Sequence, residues 1–124
     1  MVGASSGLGR CIAVGLGTRG ATVALLARRH DRLVEAAQEA GPSALAIACD
    51  VTDQASCRSG IEQAAGQLGG IDALVYATGI GPLARLADVD AETWRKMFDT
   101  NVTGAALITA AAPTSPSSAA LPHT

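Results

Sequence analysis

Runs of apolar residues alternate with helix-like patterns along most of this 124-residue chain. The runs at residues 21–27, 44–49 and 71–77 have the length of strands, and their apolar residues are continuous. Continuous apolar character indicates a strand that is buried on both faces, as in a parallel sheet covered by helices. Strands that alternate with helices predict crossover units and therefore an α/β fold.

Start and stop signals place helices between these strands. One helix is predicted over residues 9–19, followed by Gly20, and a second over residues 31–40, followed by a glycine and a proline. Asp53 is expected to cap a third helix that runs to about residue 68, and Asp90 is expected to cap a fourth. Each predicted strand is thus separated from the next by a helix.

The fourth helix carries large apolar residues at steps of three and four. These residues are Trp94, Met97, Phe98, Val102 and Ala105. That spacing places them on one side of a helix. We expect the stripe to belong to the hydrophobic core rather than to a ligand site.

A glycine-rich segment, Gly3-Ala4-Ser5-Ser6-Gly7-Leu8-Gly9, precedes the first helix. Glycines at these spacings allow backbone N–H groups to approach a diphosphate closely. The amino terminus of the following helix adds partial positive charge. A simple turn between a strand and a helix is the alternative interpretation of the same segment.

Further motifs follow this loop in order. They are Asp50-Val51 after the second apolar run, Gly79 after the third, and Asn101-Val102-Thr103-Gly104 in the fourth helix. Together with the G-x-x-x-G-x-G spacing, they resemble the short-chain dehydrogenase/reductase family over nearly all of residues 1–112. The resemblance implies a doubly wound, Rossmann-like parallel sheet, and full-length relatives that form homo-oligomers.

The resemblance also implies roles for individual residues. The cofactor phosphates would be held by Gly3, Ser5, Ser6, Gly7, Leu8 and Gly9. Asp50 and Val51 would face the adenine, and Ala77, Thr78 and Gly79 would lie beside a ribose. The chain departs from the family pattern where Tyr76 and Ala77 replace two asparagines, and where Val2 replaces a threonine.

The charged residues that follow the glycine loop indicate which cofactor, NAD or NADP, is favoured. An acidic residue roughly 20 positions beyond the glycine loop would bind the ribose hydroxyls of NAD, whereas an arginine there accommodates the extra phosphate of NADP. This sequence has Arg28-Arg29 after its first apolar run, and its next acidic residue is Asp31. NADP is therefore favoured over NAD, the alternative being that both arginines belong to a solvated turn.

Catalysis in the family uses an asparagine, a serine, and a tyrosine followed four positions later by a lysine. Asn101 is the counterpart of the asparagine and is the candidate catalytic residue. The single tyrosine, Tyr76, lies in a predicted strand, and the single lysine, Lys96, lies in a predicted helix, so no Tyr-x-x-x-Lys motif occurs. We expect the chain as given to be inactive alone, although its relatives transfer hydride between a nicotinamide and an alcohol or carbonyl substrate.

The first strand of the family fold is short in this chain. Met1-Val2 supplies at most its last two residues, and in the strand order 3-2-1-4-5-6 that strand is central. We therefore expect a partial nucleotide-binding domain over residues 1–112, truncated at both ends. The proline- and serine-rich residues 113–124 are expected to form an irregular or disordered tail.

Two alternatives to an oxidoreductase remain at this point. The first is a non-catalytic dinucleotide-binding or regulatory module that keeps the glycine loop. The second is an α/β domain of another kind, such as a methyltransferase. Arg28-Arg29 disfavours the second alternative, because a methyltransferase usually has an acidic residue near that place.

Composition excludes several other classes. With a formal net charge of -2 and scattered arginines, the chain has no basic stripe for nucleic acid, and its apolar runs are shorter than the roughly 20 residues that span a bilayer. No signal peptide is evident, so a cytoplasmic location is the default. Cys11, Cys49 and Cys57 show no C-x-x-C spacing, which predicts buried reduced thiols and no metal site.

Overall fold

A computed structural model of the protein describes residues 1–113. Except for Pro113, the tail expected at residues 113–124 lies outside the described residues. The main elements are the helices α1 (Gly7–Thr18), α2 (His30–Ala40), α3 (Gln54–Leu68), α4 (Ala91–Phe98) and α5 (Gly104–Ala111), and the strands β1 (Ala24–Ala27) and β2 (Leu45–Ala48). The predicted alternation of strands and helices is confirmed up to α3.

The strands β1 and β2 are parallel, in a register that pairs Ala24 with Leu45. On the other side of β1, Val2 forms parallel bridges with both Leu26 and Tyr76. The start of the chain thus lies in the middle of the sheet, between β1 and the segment that contains Tyr76. This position agrees with the central first strand that the sequence implied.

The prediction of a third strand at residues 71–77 is wrong, because this segment does not form a regular strand. Only Tyr76 pairs with another segment, through its bridge to Val2. A regular strand requires a paired neighbour along its length, and within residues 1–113 this segment pairs with Val2 alone. The segment still follows the direction of a strand there, since the N–H of Val2 donates to the Val75 carbonyl and the N–H of Ala77 donates to the Val2 carbonyl, both at 2.8 Å.

Successive residues of β1 point to opposite faces of the sheet, and both faces are covered. Leu25 packs with Leu33 and Ala36 of α2 in one buried cluster. Leu26 packs with Ile61 of α3 in another. A parallel sheet with helices on both faces is the doubly wound arrangement, here incomplete.

The helix caps follow the sequence signals. The Asp53 carboxylate accepts from the N–H of Ala55 at 3.0 Å, and the Asp90 carboxylate accepts from the N–H of Thr93 at 2.9 Å. Gly69 ends α3 in the left-handed conformation, with φ of 78°. Local capping therefore sets the boundaries of α3 and the start of α4.

The prediction that the apolar stripe of the fourth helix is core is wrong. Trp94, Phe98 and Val102 are 38%, 56% and 55% exposed. The residues of this region that are buried are Gly104 and Ile108 of α5, which packs against α3. Residues 99–103 form a π-helical turn between α4 and α5, so the two helices do not continue a single 3.6-residue periodicity, and the buried face of α5 that includes Gly104 does not extend to Val102 and Phe98.

Candidate functional site

A cleft of about 200 Å³ opens where β1, β2 and the segment around Tyr76 end. Nine of the residues predicted to bind a cofactor line it: Gly3, Ser5, Ser6, Arg28, Arg29, Val51, Ala77, Thr78 and Gly79. Val2, Ala27, Cys49 and Ile80 also line the cleft and were missed from the sequence. Each of these four is next to, or one residue from, a predicted position, so adjacency along the chain was the available signal.

The glycine loop needs its glycines for different reasons. Gly3 has a φ of +86°, and a Cβ atom there would lie 2.5 Å from the Thr78 hydroxyl oxygen. A Cβ atom on Gly9 would lie 2.0 Å from the Gly3 carbonyl oxygen, so α1 approaches the loop as closely as backbone allows. Gly7 has a φ of +60°, and a Cβ atom there would meet open space. The loop is therefore tightly packed beneath α1 and open beside Gly7.

The amino terminus of α1 has no side-chain cap. Ser6 occupies the N-cap position without a side-chain hydrogen bond to the helix, and the first turn holds no acidic residue. Ser6 lines the cleft, whereas Gly7, Leu8 and Gly9 are not part of its lining, and the Leu8 side chain is 80% exposed. The cleft is therefore beside the end of a 12-residue helix with free N–H groups and no competing carboxylate.

Two arginines flank the cleft on the β1 side. Arg28 and Arg29 directly follow β1 and are exposed. Neither takes part in an ion pair with any residue of the described chain. Their charges are available to an anion that enters from solvent.

Asp50 and its neighbour Val51 differ in their position relative to the cleft. The Asp50 carboxylate accepts from the Thr52 hydroxyl at 2.7 Å and from the Thr52 N–H at 2.9 Å. The bond from the Thr52 hydroxyl is the main reason that the pKa of Asp50 is lowered, and the Thr52 N–H bond and the charge of Arg28 lower it further. Asp50 thus holds the turn into α3, and Val51, not Asp50, lines the cleft.

Asn101 is connected to the cleft indirectly, through hydrogen bonds to the backbone of Ile80. It lies in a π-helical turn, Asp99–Thr103, between α4 and α5. Its amide oxygen accepts from the Ile80 N–H at 2.8 Å, and its amide nitrogen donates to the Ile80 carbonyl at 2.7 Å. Asn101 therefore fixes the loop that carries Gly79 and Ile80, and is not itself part of the cleft lining.

Tyr76 forms a hydrogen bond with the same π-helical turn. Its hydroxyl donates to the Thr100 carbonyl at 2.5 Å, and burial raises the pKa of the phenol. A Cβ atom on Gly104 would lie 2.7 Å from the Tyr76 hydroxyl oxygen, so α5 packs closely here. The sequence did not predict this contact, because 24 residues separate Tyr76 from Thr100.

Within residues 1–113, no three His, Cys, Asp or Glu side chains come together as a metal site would need. Among the helices in that range, none combines the length and the apolar character needed to cross a membrane.

Comparison with known proteins gives a consistent result. The family model described as short chain dehydrogenase matches residues 1–116. Among curated proteins, the chain is 37% identical over 110 residues to cis-4-hydroxycyclohexanecarboxylate dehydrogenase of Sinomonas cyclohexanicum, covering 86% of this chain and 44% of that protein.

Solved structures of similar proteins point to the same family as the curated proteins do. A short-chain type dehydrogenase/reductase from Mycobacterium marinum is 38% identical, with a TM-score of 0.79 over 90% of this chain and 46% of that one. A 3-ketoacyl-(acyl-carrier-protein) reductase from Brucella melitensis, complexed with NADH, is 31% identical, with a TM-score of 0.80 over 88% of this chain and 45% of that one. The chain spans less than half the length of each of these proteins.

Proposed function

The chain belongs to the short-chain dehydrogenase family, and from that membership we propose that residues 1–112 form the cofactor-binding part of an NADP-dependent oxidoreductase. The observation that carries the proposal is the cleft itself. It brings the glycine loop, Arg28-Arg29 and the loop at residues 77–80 to one end of the sheet. Ligands of open α/β sheets bind at that end, where the strands finish.

The glycine loop fits a phosphate group. Gly3 and Gly9 allow its backbone and the start of α1 to approach closely, and the space beside Gly7 is open. The uncapped N–H groups at the start of α1 supply donors and partial positive charge. In the proposed complex Gly3, Ser5, Ser6, Gly7, Leu8 and Gly9 hold the diphosphate, Val51 and Asp50 border the adenine, and Ala77, Thr78 and Gly79 border a ribose.

Arg28 and Arg29 support NADP as the cofactor. Both are exposed at the cleft, and neither has an ion-pair partner in residues 1–113. The Asp50 carboxylate accepts hydrogen bonds from Thr52, and Asp50 does not line the cleft, so it does not compete with the arginines there. NAD is the alternative cofactor, because one structural neighbour was solved with NADH. An experiment has to distinguish NADP from NAD.

The full-length protein would transfer hydride between the nicotinamide of the bound cofactor and an alcohol or carbonyl compound. In residues 1–124, no Tyr-x-x-x-Lys motif is present to hold and move the proton. Both polar groups of the Asn101 side chain are bonded to Ile80. We therefore infer that this chain binds the dinucleotide without turning it over, which is also how a non-catalytic binding module would behave.

Titration with NADPH tests the proposal, with the nucleotide's fluorescence as the readout. The decisive variant is Ser6→Asp, because aspartate is a good N-cap and leaves the helix intact while placing negative charge at the phosphate position. We expect it to weaken NADPH binding by about tenfold or more, since like charges a few ångströms apart repel by about 1 to 4 kcal/mol. Ser59→Asp, an exposed site on α3, is the matched control and should bind as the wild type does.

Two results would contradict the proposal. The first is equal NADPH affinity for the Ser6→Asp and Ser59→Asp variants. The second is tighter binding of S-adenosylmethionine than of NADPH by the wild type, which would restore the methyltransferase alternative that the family match disfavours.

A further inference from the structure

The proposed nucleotide site leaves two buried thiols without a role. Cys49 directly follows β2, and Cys57 lies near the start of α3. Both belong to the same buried cluster, and their side chains are almost fully excluded from solvent. Since binding of a nucleotide requires neither thiol, the pair is a candidate for chemistry of its own.

The contacts of the two sulfur atoms cross between the segments that carry them. The Cys49 thiol donates to the Ser56 carbonyl at 3.6 Å, and Ser56 is the residue before Cys57. The Cys57 thiol lies 3.6 Å from the Asp50 carbonyl oxygen and 3.5 Å from the Val51 carbonyl oxygen. Asp50 is the residue after Cys49. Each sulfur atom therefore lies against the backbone next to the other cysteine.

Two further contacts hold these segments together. The Asp50 N–H donates to the Ser56 hydroxyl at 2.9 Å. A Cβ atom on Gly60 would lie 3.3 Å from both the Cβ and the Sγ atom of Cys49, so the Cys49 side chain packs on α3 beside Gly60. Residues three apart are neighbours on one face of a helix, and Gly60 is three residues after Cys57. The two thiols are therefore neighbours on the same face of α3.

The two thiols differ in access and in acidity. Cys49 lines the cleft of about 200 Å³, whereas Cys57 is not part of its lining. Burial raises the pKa of both thiols, that of Cys57 to about 11, and hydrogen bonds from Ser56 and Cys57 oppose the rise at Cys49. The nucleophile in thiol oxidation is the thiolate. Cys49 is therefore the thiol that a small molecule in the cleft meets first, and the one that ionises more readily.

We propose that Cys49 and Cys57 form a redox modification site, at which hydrogen peroxide that enters through the cleft oxidises the two thiols to an intramolecular disulfide. First, the Cys49 thiolate attacks one peroxide oxygen, an S–O bond forms as the O–O bond breaks, and the other oxygen leaves as water. Second, the Cys57 sulfur attacks the Cys49 sulfenic acid, the S–S bond forms as the S–O bond breaks, and a second water leaves. Two electrons pass from the sulfurs to the peroxide, and both thiol protons end in water.

The disulfide would close a ring over residues 49–57. This ring contains Val51, which lines the cleft, and Asp53, whose carboxylate caps α3. Oxidation would thus join the end of β2 covalently to the start of α3, at the edge of the cleft. The proposal does not depend on which ligand the cleft binds.

The first test maps the product in the Cys11→Ser variant, which lacks the exposed thiol that would pair between molecules. The folded chain is treated with hydrogen peroxide, its remaining thiols are blocked in denaturant, and it is digested at aspartate. Asp50 and Asp53 lie between the two cysteines, so only a disulfide keeps the two fragments together. We expect a linked pair of fragments that dithiothreitol separates. Free thiols at both positions, or a sulfinic acid at Cys49 without a linked pair, would overturn the proposal.

A matched pair of variants, both made in the Cys11→Ser chain, tests the order of the two steps. In Cys57→Ser, the sulfenic acid at Cys49 has no second thiol to attack it, so dimedone should trap it. In Cys49→Ser, the remaining thiol is outside the cleft lining, and its dimedone adduct should form about tenfold more slowly or less. Equal rates in the two variants, or a faster adduct at Cys57, would overturn the proposal. Circular dichroism checks that both variants fold, and if either does not, the fragment map of Cys11→Ser decides alone.

Discussion

The side chain of Asn101 forms a closed pair of hydrogen bonds with the backbone of Ile80, one bond to its N–H at 2.8 Å and one to its carbonyl at 2.7 Å. The loop that borders the cleft is thus held by hydrogen bonds to the π-helical turn between α4 and α5. Asn101 is the residue that the family resemblance identified as catalytic. In this chain its visible effect is to position Gly79 and Ile80.

The first prediction concerns this pair. Asn101→Ala removes both bonds and leaves the loop held only by the backbone, so the Ile80 amide should exchange its hydrogen faster than in the wild type. We expect a loss of about 1 to 2 kcal/mol in the free energy of unfolding, measured by urea denaturation. Asn101→Asp keeps an acceptor for the Ile80 N–H but faces its carbonyl with a second oxygen, so it should not restore protection. Wild-type exchange at Ile80 in Asn101→Ala would contradict this role.

The local signals in the sequence predicted local structure well. The carboxylates of Asp53 and Asp90 each cap the helix that follows, because an N-cap interaction involves only residues two or three positions apart. The glycine loop likewise lies at a helix start, where its spacing indicated.

What the sequence did not predict depends on distant neighbours. The periodicity of Trp94 and Phe98 identifies an apolar side of a helix but not what covers it, and both residues are exposed in the described chain. Asn101 and Ile80 are 21 residues apart, so no spacing rule connects them. The strand at residues 71–77 was predicted from its composition, yet a regular strand also requires a paired neighbour along its length, and within residues 1–113 only Val2 pairs with this segment.

The second prediction concerns cofactor preference. Arg28→Asp should lower the ratio of NADPH to NADH affinity by about tenfold to a hundredfold, because a charge-assisted contact to the ribose phosphate contributes roughly 1.5 to 3 kcal/mol. Equilibrium titration with both nucleotides gives the ratio. Arg19→Asp makes the same charge change at the end of α1, away from the cleft, and should leave the ratio unaltered. An unchanged ratio in Arg28→Asp would count against NADP as the cofactor.

The third prediction concerns the thiols, which the sequence expected to be buried. Cys49 and Cys57 are 3% and 1% exposed, but Cys11 is exposed on α1, which corrects the expectation for that residue. The face of α1 that packs inward carries Gly9 and Ala13 instead. Burial raises the pKa of Cys49 and is the main cause that raises the pKa of Cys57 to about 11.

A thiol reagent such as dithionitrobenzoate at pH 8 should therefore react rapidly with one equivalent in the folded protein, and with all three cysteines in denaturant. Cys11→Ser should remove the rapid phase. A rapid phase that persists in Cys11→Ser would show that Cys49 or Cys57 is reachable in the folded protein.

The fourth prediction is that residues 1–124 show no dehydrogenase or reductase turnover. A positioned general acid or base contributes about 10²- to 10⁴-fold, and the chain has neither the tyrosine nor the lysine at the required spacing. The side-chain amide of Asn101 does not act as a general acid or a general base near neutral pH. The measurement follows NADPH absorbance with a panel of ketones and aldehydes, after folding is confirmed by circular dichroism. Turnover that disappears in Asn101→Ala would contradict the prediction, whereas turnover that survives there indicates contamination.

The last prediction concerns acid stability and Asp50. The hydroxyl and N–H of Thr52 hold the pKa of the Asp50 carboxyl below its usual value of 3.8. A group whose pKa is lowered by folding stabilises the folded state at pH values above its unfolded pKa, and that contribution disappears as the pH falls through the folded pKa. Asp50→Asn should thus be less stable than the wild type at pH 7, by about 1 kcal/mol or less, since the carboxylate is partly solvated. Urea denaturation at pH 7, 5 and 3 should show the difference between the two proteins unchanged from pH 7 to pH 5 and smaller at pH 3. A difference that grows on acidification would mean that the ionised Asp50 carboxylate destabilises the folded turn, contrary to the bonds it accepts from Thr52.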